Sequence, residues 1–201
     1  MGRLRPYELE GPLRDALRAL IDRGLTLPFA GTVYRVMRLE YSSPEDAISG
    51  AGAARWGGRW NPPGLPAFYA STTYDVAHKE VAAAAGYYRA RVTNELPRVE
   101  AAFDVRLART LDLSTRRALR QMRLTQKSLR AVDWRAANDG GQEALTQAVG
   151  RLAAALELEG LVVPSAGIRG GRNIVVFPRL LMAGSRIRAR GLEKLGGLFS
   201  Q

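Results

Sequence analysis

The chain has 201 residues and no cysteine, and its 30 Lys and Arg against 19 Asp and Glu give a net charge of +11. Disulfides, thiolate metal sites and a cysteine nucleophile are thereby excluded, while a hydrophobic share of 46% suits one folded domain. No apolar run reaches the roughly 18 residues that span a bilayer, and the N-terminus lacks the apolar stretch of a signal peptide, so no membrane association and a cytoplasmic location are expected.

Residues 12–23 are predicted as the first helix, with Pro12 in the first turn and Gly24 at the stop. Leu13, Ala16, Leu17, Leu20 and Ile21 recur at helical spacing and form its buried stripe. Residues 32–39 follow as a strand, and residues 42–58 as a loop with a single helical turn. Asn61-Pro62-Pro63-Gly64 is a turn, because two prolines remove backbone donors and Gly64 frees the chain. Residues 67–71 read as a strand, after which Thr72 or Thr73 caps a helix running to Arg91.

Val99, Ala101, Phe103, Val105 and Leu107 alternate with Glu100, Asp104 and Arg106, the period of a half-buried strand. Residues 114–132 are read as a basic helix carrying Arg116, Arg117, Arg120, Arg123, Lys127 and Arg130. A long helix is expected over 142–158, ended by Gly160. Residues 161–163, 173–177 and 185–190 are short strands. Strands and helices interleave without repeat or linker, so the expected fold is a single mixed α/β (α+β) domain with a central sheet and flanking helices.

Three residues stand where a bland one would be expected. Arg59 follows the pair Gly57-Gly58, which lets a guanidinium project from backbone able to approach a ligand. Tyr69 ends a short apolar run. Glu80 lies between Val76-Ala77 and the run Val81-Ala82-Ala83-Ala84-Ala85, where a carboxylate is partly desolvated; taken alone, such a glutamate is more often a solvated helix residue. Trp56, Trp60 and Tyr69 gather around glycines as in a small-molecule pocket.

Two imitations fail. The lone histidine, His78, sits about 200° around a helix from Glu80, which argues against a Ser-His-Asp triad. The His78-Lys79-Glu80 tripeptide has no cysteines to complete a zinc deaminase site. The charge has two readings, an anionic partner or arginine spread over solvated faces. A basic nucleic-acid-binding module using residues 116–130 is the rival reading from another class, and it predicts steeply salt-dependent binding.

The ordered set Tyr34-Arg35-Val36, Gly58-Arg59-Trp60-Asn61, Tyr69-Ala70-Ser71, Glu80, Ser165 and Arg172-Asn173 to Pro178 resembles the RES-domain family, named for Arg, Glu and Ser. Ten residues separate Arg59 from Tyr69 and eleven separate Tyr69 from Glu80, as in that family. The resemblance implies an NAD-destroying toxin on a fold similar to ADP-ribosyltransferases, held by an Xre-type antitoxin through which any DNA contact would run. It implies a division into a helical extension (1–31), a catalytic domain (32–190) and a tail (191–201).

As catalytic residues it implies Arg59, Tyr69, Glu80 and Ser165; as substrate-binding residues it implies Tyr34, Arg35, Asn61 and Asn173. Arg59 and Arg35 would grip phosphate, Tyr69 would border the nicotinamide ribose, and Ser165 would bond substrate without acting as a nucleophile. No metal or cofactor is implied, with NAD as substrate and water or inorganic phosphate as acceptor. Transfer of ADP-ribose to a macromolecule shares the same chemistry and stays open.

Overall fold

The computed structural model describes residues 4–87 and 97–192, so the end of the expected helix to Arg91 and the tail from residue 193 lie outside the described residues. Eight helices and six strands are labelled in chain order. They are α1 (Glu10–Asp22), β1 (Thr26–Arg38), α2 (Pro44–Ser49), α3 (Ala51–Trp56), β2 (Phe68–Ser71), α4 (Tyr74–Tyr87) and β3 (Arg98–Asp112), then α5 (Arg116–Gln121), α6 (Gln126–Ala131), α7 (Trp134–Asp139), α8 (Leu145–Ala155), β4 (Gly160–Pro164), β5 (Arg172–Val176) and β6 (Arg186–Arg190). The mixed α/β fold is as the alternation implied.

The sheet is not flat and open. β1 pairs along one edge with β3 and on the other with β2, so pairing runs β1-β2-β5-β4-β3 and returns to β1. The free edge of β3 takes β6 along Ala102–Arg106 and β4 along Thr110–Asp112. Closure puts one face of each strand inside. Val33, Met37, Phe68, Ala70, Phe103, Val105, Val162, Ile174 and Val176 fill that interior, with Phe68 and Phe103 edge to face at 5.1 Å. Alternate residues point outward, where Leu161, Val163, Val175 and Phe177 meet α1, α5, α6 and α8. The two-residue period therefore divides each strand between two cores.

Several elements differ from the sequence expectation. The predicted basic helix is two short ones, α5 and α6, because Arg123 between them takes φ 55° and Thr125 starts a new helix with its own capping box. Arg116, Arg117 and Arg120 are exposed on α5 while Ala118 and Leu119 enter the core, so residues 116–130 share no single helical face. The loop at 42–58 holds two helices, α2 and α3, parted by Gly50 at φ 68°. The helix predicted over 142–158 is shorter, from Leu145, and α7 had no distinct apolar stripe to announce it. α1 joins α8 through Arg151, which pairs with Glu10 at 2.8 Å and Glu143 at 2.7 Å.

Glu159 locks β3 to the segment before β6. Its fully buried carboxylate accepts from Ala108 N at 2.6 Å, Arg109 N at 2.7 Å and Met182 N at 2.9 Å. Burial pushes this carboxyl up, but Ser185 and those three amides outweigh it and hold it below its ordinary value of 4.5. A depressed folded value gives stability that is complete above the unfolded value and lost as pH falls through the folded one. Glu159→Gln should therefore lower stability at pH 7 by about 1–3 kcal/mol, since an amide N–H₂ would face donors. It should also flatten the acid limb of a plot of melting temperature against pH below about 4.5; an unchanged acid limb would show that Glu159 does not govern it.

Candidate active site

The outward face of β2, β4 and β5, the first half of α4, and the loop 165–171 form the site. Period two puts Tyr69 and Ser71 on that face of β2 and Asn173 on that face of β5. Ser71 and Asn173 are Cα partners across the two strands, and the Ser71 hydroxyl donates to Asn173 Oδ1 at 2.8 Å. That bond turns the Asn173 amide N–H₂ toward α4.

Glu80 receives it. Asn173 Nδ2 donates to Glu80 Oε1 at 3.0 Å, the Ser165 hydroxyl at 2.5 Å, Ala166 N at 3.1 Å and Gly167 N at 3.4 Å. Four donors thus converge on one carboxylate oxygen. Among the described residues no hydrogen bond reaches Oε2, so the carboxylate is fixed by one oxygen and open at the other. Ser165 is wholly buried, and its own oxygen accepts from Gly167 N and Ile168 N at 3.2 and 3.0 Å. It fastens the loop to Glu80.

Arg59 is mostly buried, and burial lowers its pKa while nearby Glu80 opposes that shift. Its Nη1 donates to Val132 O at 2.8 Å and Leu129 O at 3.3 Å, the open carbonyls at the end of α6. Nε and Nη2 donate no hydrogen bond to the described residues. One edge of the guanidinium thus anchors α6 and the other stays available beside Glu80.

The turn bearing Arg59 rests on a buried polar hub. Tyr69 Oη donates to Asn61 Oδ1 at 2.7 Å and accepts from Trp60 N at 2.8 Å. Burial drives the Tyr69 phenol well above its ordinary range. Asn61 is fully buried, and its Nδ2 donates to Ala53 O, Pro62 O and Leu65 O. Gln147 on α8 donates from Nε2 to Gly58 O and Asn61 O at 3.0 and 3.3 Å, gripping both ends of the turn.

Several expected site residues therefore sit elsewhere. The backbone of Gly58 approaches protein and not ligand: a Cβ there would lie 2.7 Å from both Tyr69 Oη and Asn61 Oδ1. The hydrogen-bonding groups of Asn61 and the Tyr69 hydroxyl are engaged below the turn. Trp60 is core, whereas Trp56 is 61% exposed under the Arg55 guanidinium. Arg35 faces the barrel interior, on the side of Val33 and Met37, with Nη1 donating to Ala47 O and the guanidinium 5.5 Å over Phe68; strand alternation turns it away from Glu80. Tyr34 stands opposite Ser71 and meets Tyr74 edge to face at 6.2 Å, in a cavity of about 240 Å³ shared with Ala77 and Glu100. His78 Nε2 meets Glu100 at 2.8 Å, with no part in a triad.

Sequence reading missed the Ala166 and Gly167 amides, Ser71 and Gln147. Ser71 was within reach, two residues from Tyr69 on the same strand face. The amides and the partners of Gln147 carry no side-chain signature of their role.

The chain is similar to known proteins over most of its length. The RES domain family matches residues 32–193. NAD(+) phosphorylase MbcT of Mycobacterium tuberculosis H37Rv is 35% identical over 161 residues, covering 77% of this chain and 78% of that protein, and MbcT of Mycobacterium bovis matches equally. A chain in the crystal structure of the M. tuberculosis MbcT-MbcA toxin-antitoxin complex superposes with a TM-score of 0.68 at 26% identity, over 95% of this chain and 98% of that one.

Proposed function

Since this chain belongs to the RES-domain family, we propose that it is the toxin of a toxin-antitoxin pair and degrades NAD by cleaving its nicotinamide-ribose bond. The observation that carries the reading is the Glu80 carboxylate, clamped at Oε1 by four donors and open at Oε2, beside a guanidinium with a free edge. Breaking that bond leaves positive charge on C1 and the ring oxygen of the ribose, as in glycoside hydrolysis. A fixed carboxylate offers its open oxygen to the ribose hydroxyls and favours that cation without reorganising. Nicotinamide departs as a neutral amide, taking the bonding pair to its ring nitrogen, so its departure needs no general acid.

Roles follow from position. Glu80 stabilises the transition state, and the free edge of Arg59 binds the pyrophosphate. Ser165, Ser71 and Asn173 orient Glu80, while Tyr69, Asn61 and Gln147 hold the Arg59 turn. Phosphate is the acceptor, giving nicotinamide and ADP-ribose 1-phosphate. The protein acts in the cytoplasm, restrained by an Xre-type antitoxin.

The test is incubation of the purified chain with NAD, with and without inorganic phosphate, and identification of products by mass. Nicotinamide with ADP-ribose 1-phosphate is expected; intact NAD in both arms would overturn the reading. In cells, expression of the chain alone should deplete NAD and arrest growth, and co-expression of its antitoxin should restore both.

Arg59→Lys should weaken NAD binding by about tenfold or more, because an ammonium cannot hold the α6 carbonyls and a pyrophosphate together. Calorimetric titration with NAD measures it, and equal affinities would reduce Arg59 to an anchor for α6.

A further inference from the structure

The short helix α7 is fastened to Arg59 at both of its ends. Val132 comes directly before Asp133, whose carboxylate caps α7, and its carbonyl accepts from Arg59 Nη1 at 2.8 Å. At the other end, Asn138 and Gln147 form a closed pair of amide hydrogen bonds. Asn138 Nδ2 donates to Gln147 Oε1 at 2.8 Å, and Gln147 Nε2 donates to Asn138 Oδ1 at 2.9 Å. Gln147 Nε2 also reaches Gly58 O and Asn61 O, on either side of Arg59 and Trp60. A helix of six residues, about 9 Å long, thus holds the head of the Arg59 side chain directly and its backbone through one intermediary.

A guanidinium lies at the end of several rotatable bonds, and fixing them costs conformational entropy. Holding the head at Val132 O leaves the turn free to shift, and holding the turn leaves the head free to swing. When one rigid piece holds both, the free edge is aimed before a ligand arrives, and binding does not have to order it. Asn138 suits this joint because a primary amide presents a donor and an acceptor together to another primary amide. Its own amide is steadied by a second bond, from Nδ2 to Gln142 O at 2.9 Å.

Gln147 does not depend on Asn138 for satisfaction. Its Oε1 also accepts from Ala144 N at 3.1 Å, and its Nε2 keeps Gly58 O and Asn61 O. Removal of the Asn138 amide therefore leaves no buried orphan on Gln147, while it uncouples α7 from the turn. The joint serves alignment more than stability.

We infer that Asn138 is a positioning residue for Arg59: through Gln147 it locks α7 to the turn, so that α7 sets the direction of the guanidinium edge that meets NAD. This rests on the reading of Arg59 as the group that binds the NAD pyrophosphate.

The experiment is a double-mutant cycle of Asn138→Ala with Arg59→Lys, read as NAD affinity by calorimetry in phosphate-free buffer, with melting curves to establish folding. In the otherwise wild-type chain Asn138→Ala should weaken NAD binding about fivefold or more, and it should change kcat at saturating NAD less than about threefold. In the Arg59→Lys chain it should weaken binding less than about twofold, because the fork that it aims is gone. Asn138→Asp keeps the shape but sets an acceptor against Gln147 Oε1, so it should weaken binding at least as much, and it replaces the alanine variant in the cycle if that variant does not fold. Equal losses in both backgrounds, or no loss, would overturn the inference. The Nε–H signal of Arg59 in NMR spectra of the free protein, identified by its absence in Arg59→Lys, gives a readout without NAD and should shift or broaden in Asn138→Ala. If the wild type neither binds nor cleaves NAD, the NAD reading fails and this signal alone decides; an unmoved signal overturns the role of Asn138 whatever NAD does.

Discussion

Glu80→Gln should lower turnover of NAD by about 100-fold or more while leaving its KM within about threefold, the pattern of an interaction made in the transition state. The substitution is clean for a structural reason. Ser165, Ala166, Gly167 and Asn173 all donate to Oε1, so they select the orientation of glutamine that leaves its carbonyl oxygen there. The amide N–H₂ then occupies the place of Oε2. The loop keeps its attachment, and the site loses only a negative charge and an acceptor. Steady-state kinetics measure the effect, and cells expressing this variant should keep normal NAD and grow. A protein turning over NAD at near the wild-type rate would remove Glu80 from catalysis.

Gly150→Ala should be the most damaging small substitution outside the site. A Cβ at this position of α8 would lie 1.7 Å from Trp60 O and 2.7 Å from Trp60 C. Both are backbone atoms, so no rotamer change relieves the clash. α8 cannot readily retreat, because Ala148, Val149, Leu152 and Ala153 are wholly buried around it. Overpacking of this kind costs about 3 kcal/mol or more. At about 2–4 °C for each kcal/mol in a chain of this size, the melting temperature should fall by roughly 6–12 °C.

The function should suffer as well. Trp60 follows Arg59 in the turn that Gln147, one helical turn before Gly150, holds at Gly58 O and Asn61 O. Displacement of α8 displaces the guanidinium, so the KM for NAD should rise in whatever protein remains folded. Gly52→Ala is the contrast. Nothing lies within 4 Å of a Cβ at that position of α3, and alanine should raise the melting temperature slightly by favouring the helix. Thermal melts of the two variants side by side decide it, and equal melting temperatures would show that the contact at Trp60 yields.

What the sequence by itself determined was that Glu80, Ser165 and Asn173 belong together, and which strand faces bring them there. Tyr69, Ser71 and Asn173 share a face because strands repeat every two residues. Ordered spacing placed Arg59, Tyr69 and Glu80, and Ser165 and Asn173 reach Glu80 across 85 and 93 residues of chain. Alternating apolar residues likewise announced β3 and the interior of the sheet. Only the tertiary structure decided the division of labour. Arg35 is as basic as Arg59 and one residue from Tyr34, yet closure of β1 on both β2 and β3 turns its guanidinium inward to Ala47 and Phe68. Tyr69 and Asn61 have residue types that suit a pocket wall, but α8 packs beneath them and engages them in holding the Arg59 turn. The basic run divides at Arg123, sending Arg116, Arg117 and Arg120 to solvent and Arg130 to the loop at Ile168. Local periodicity dictates which way a side chain points along its own element. Which element lies opposite depends on long-range closure and packing, and from that follows whether a polar group meets substrate or protein.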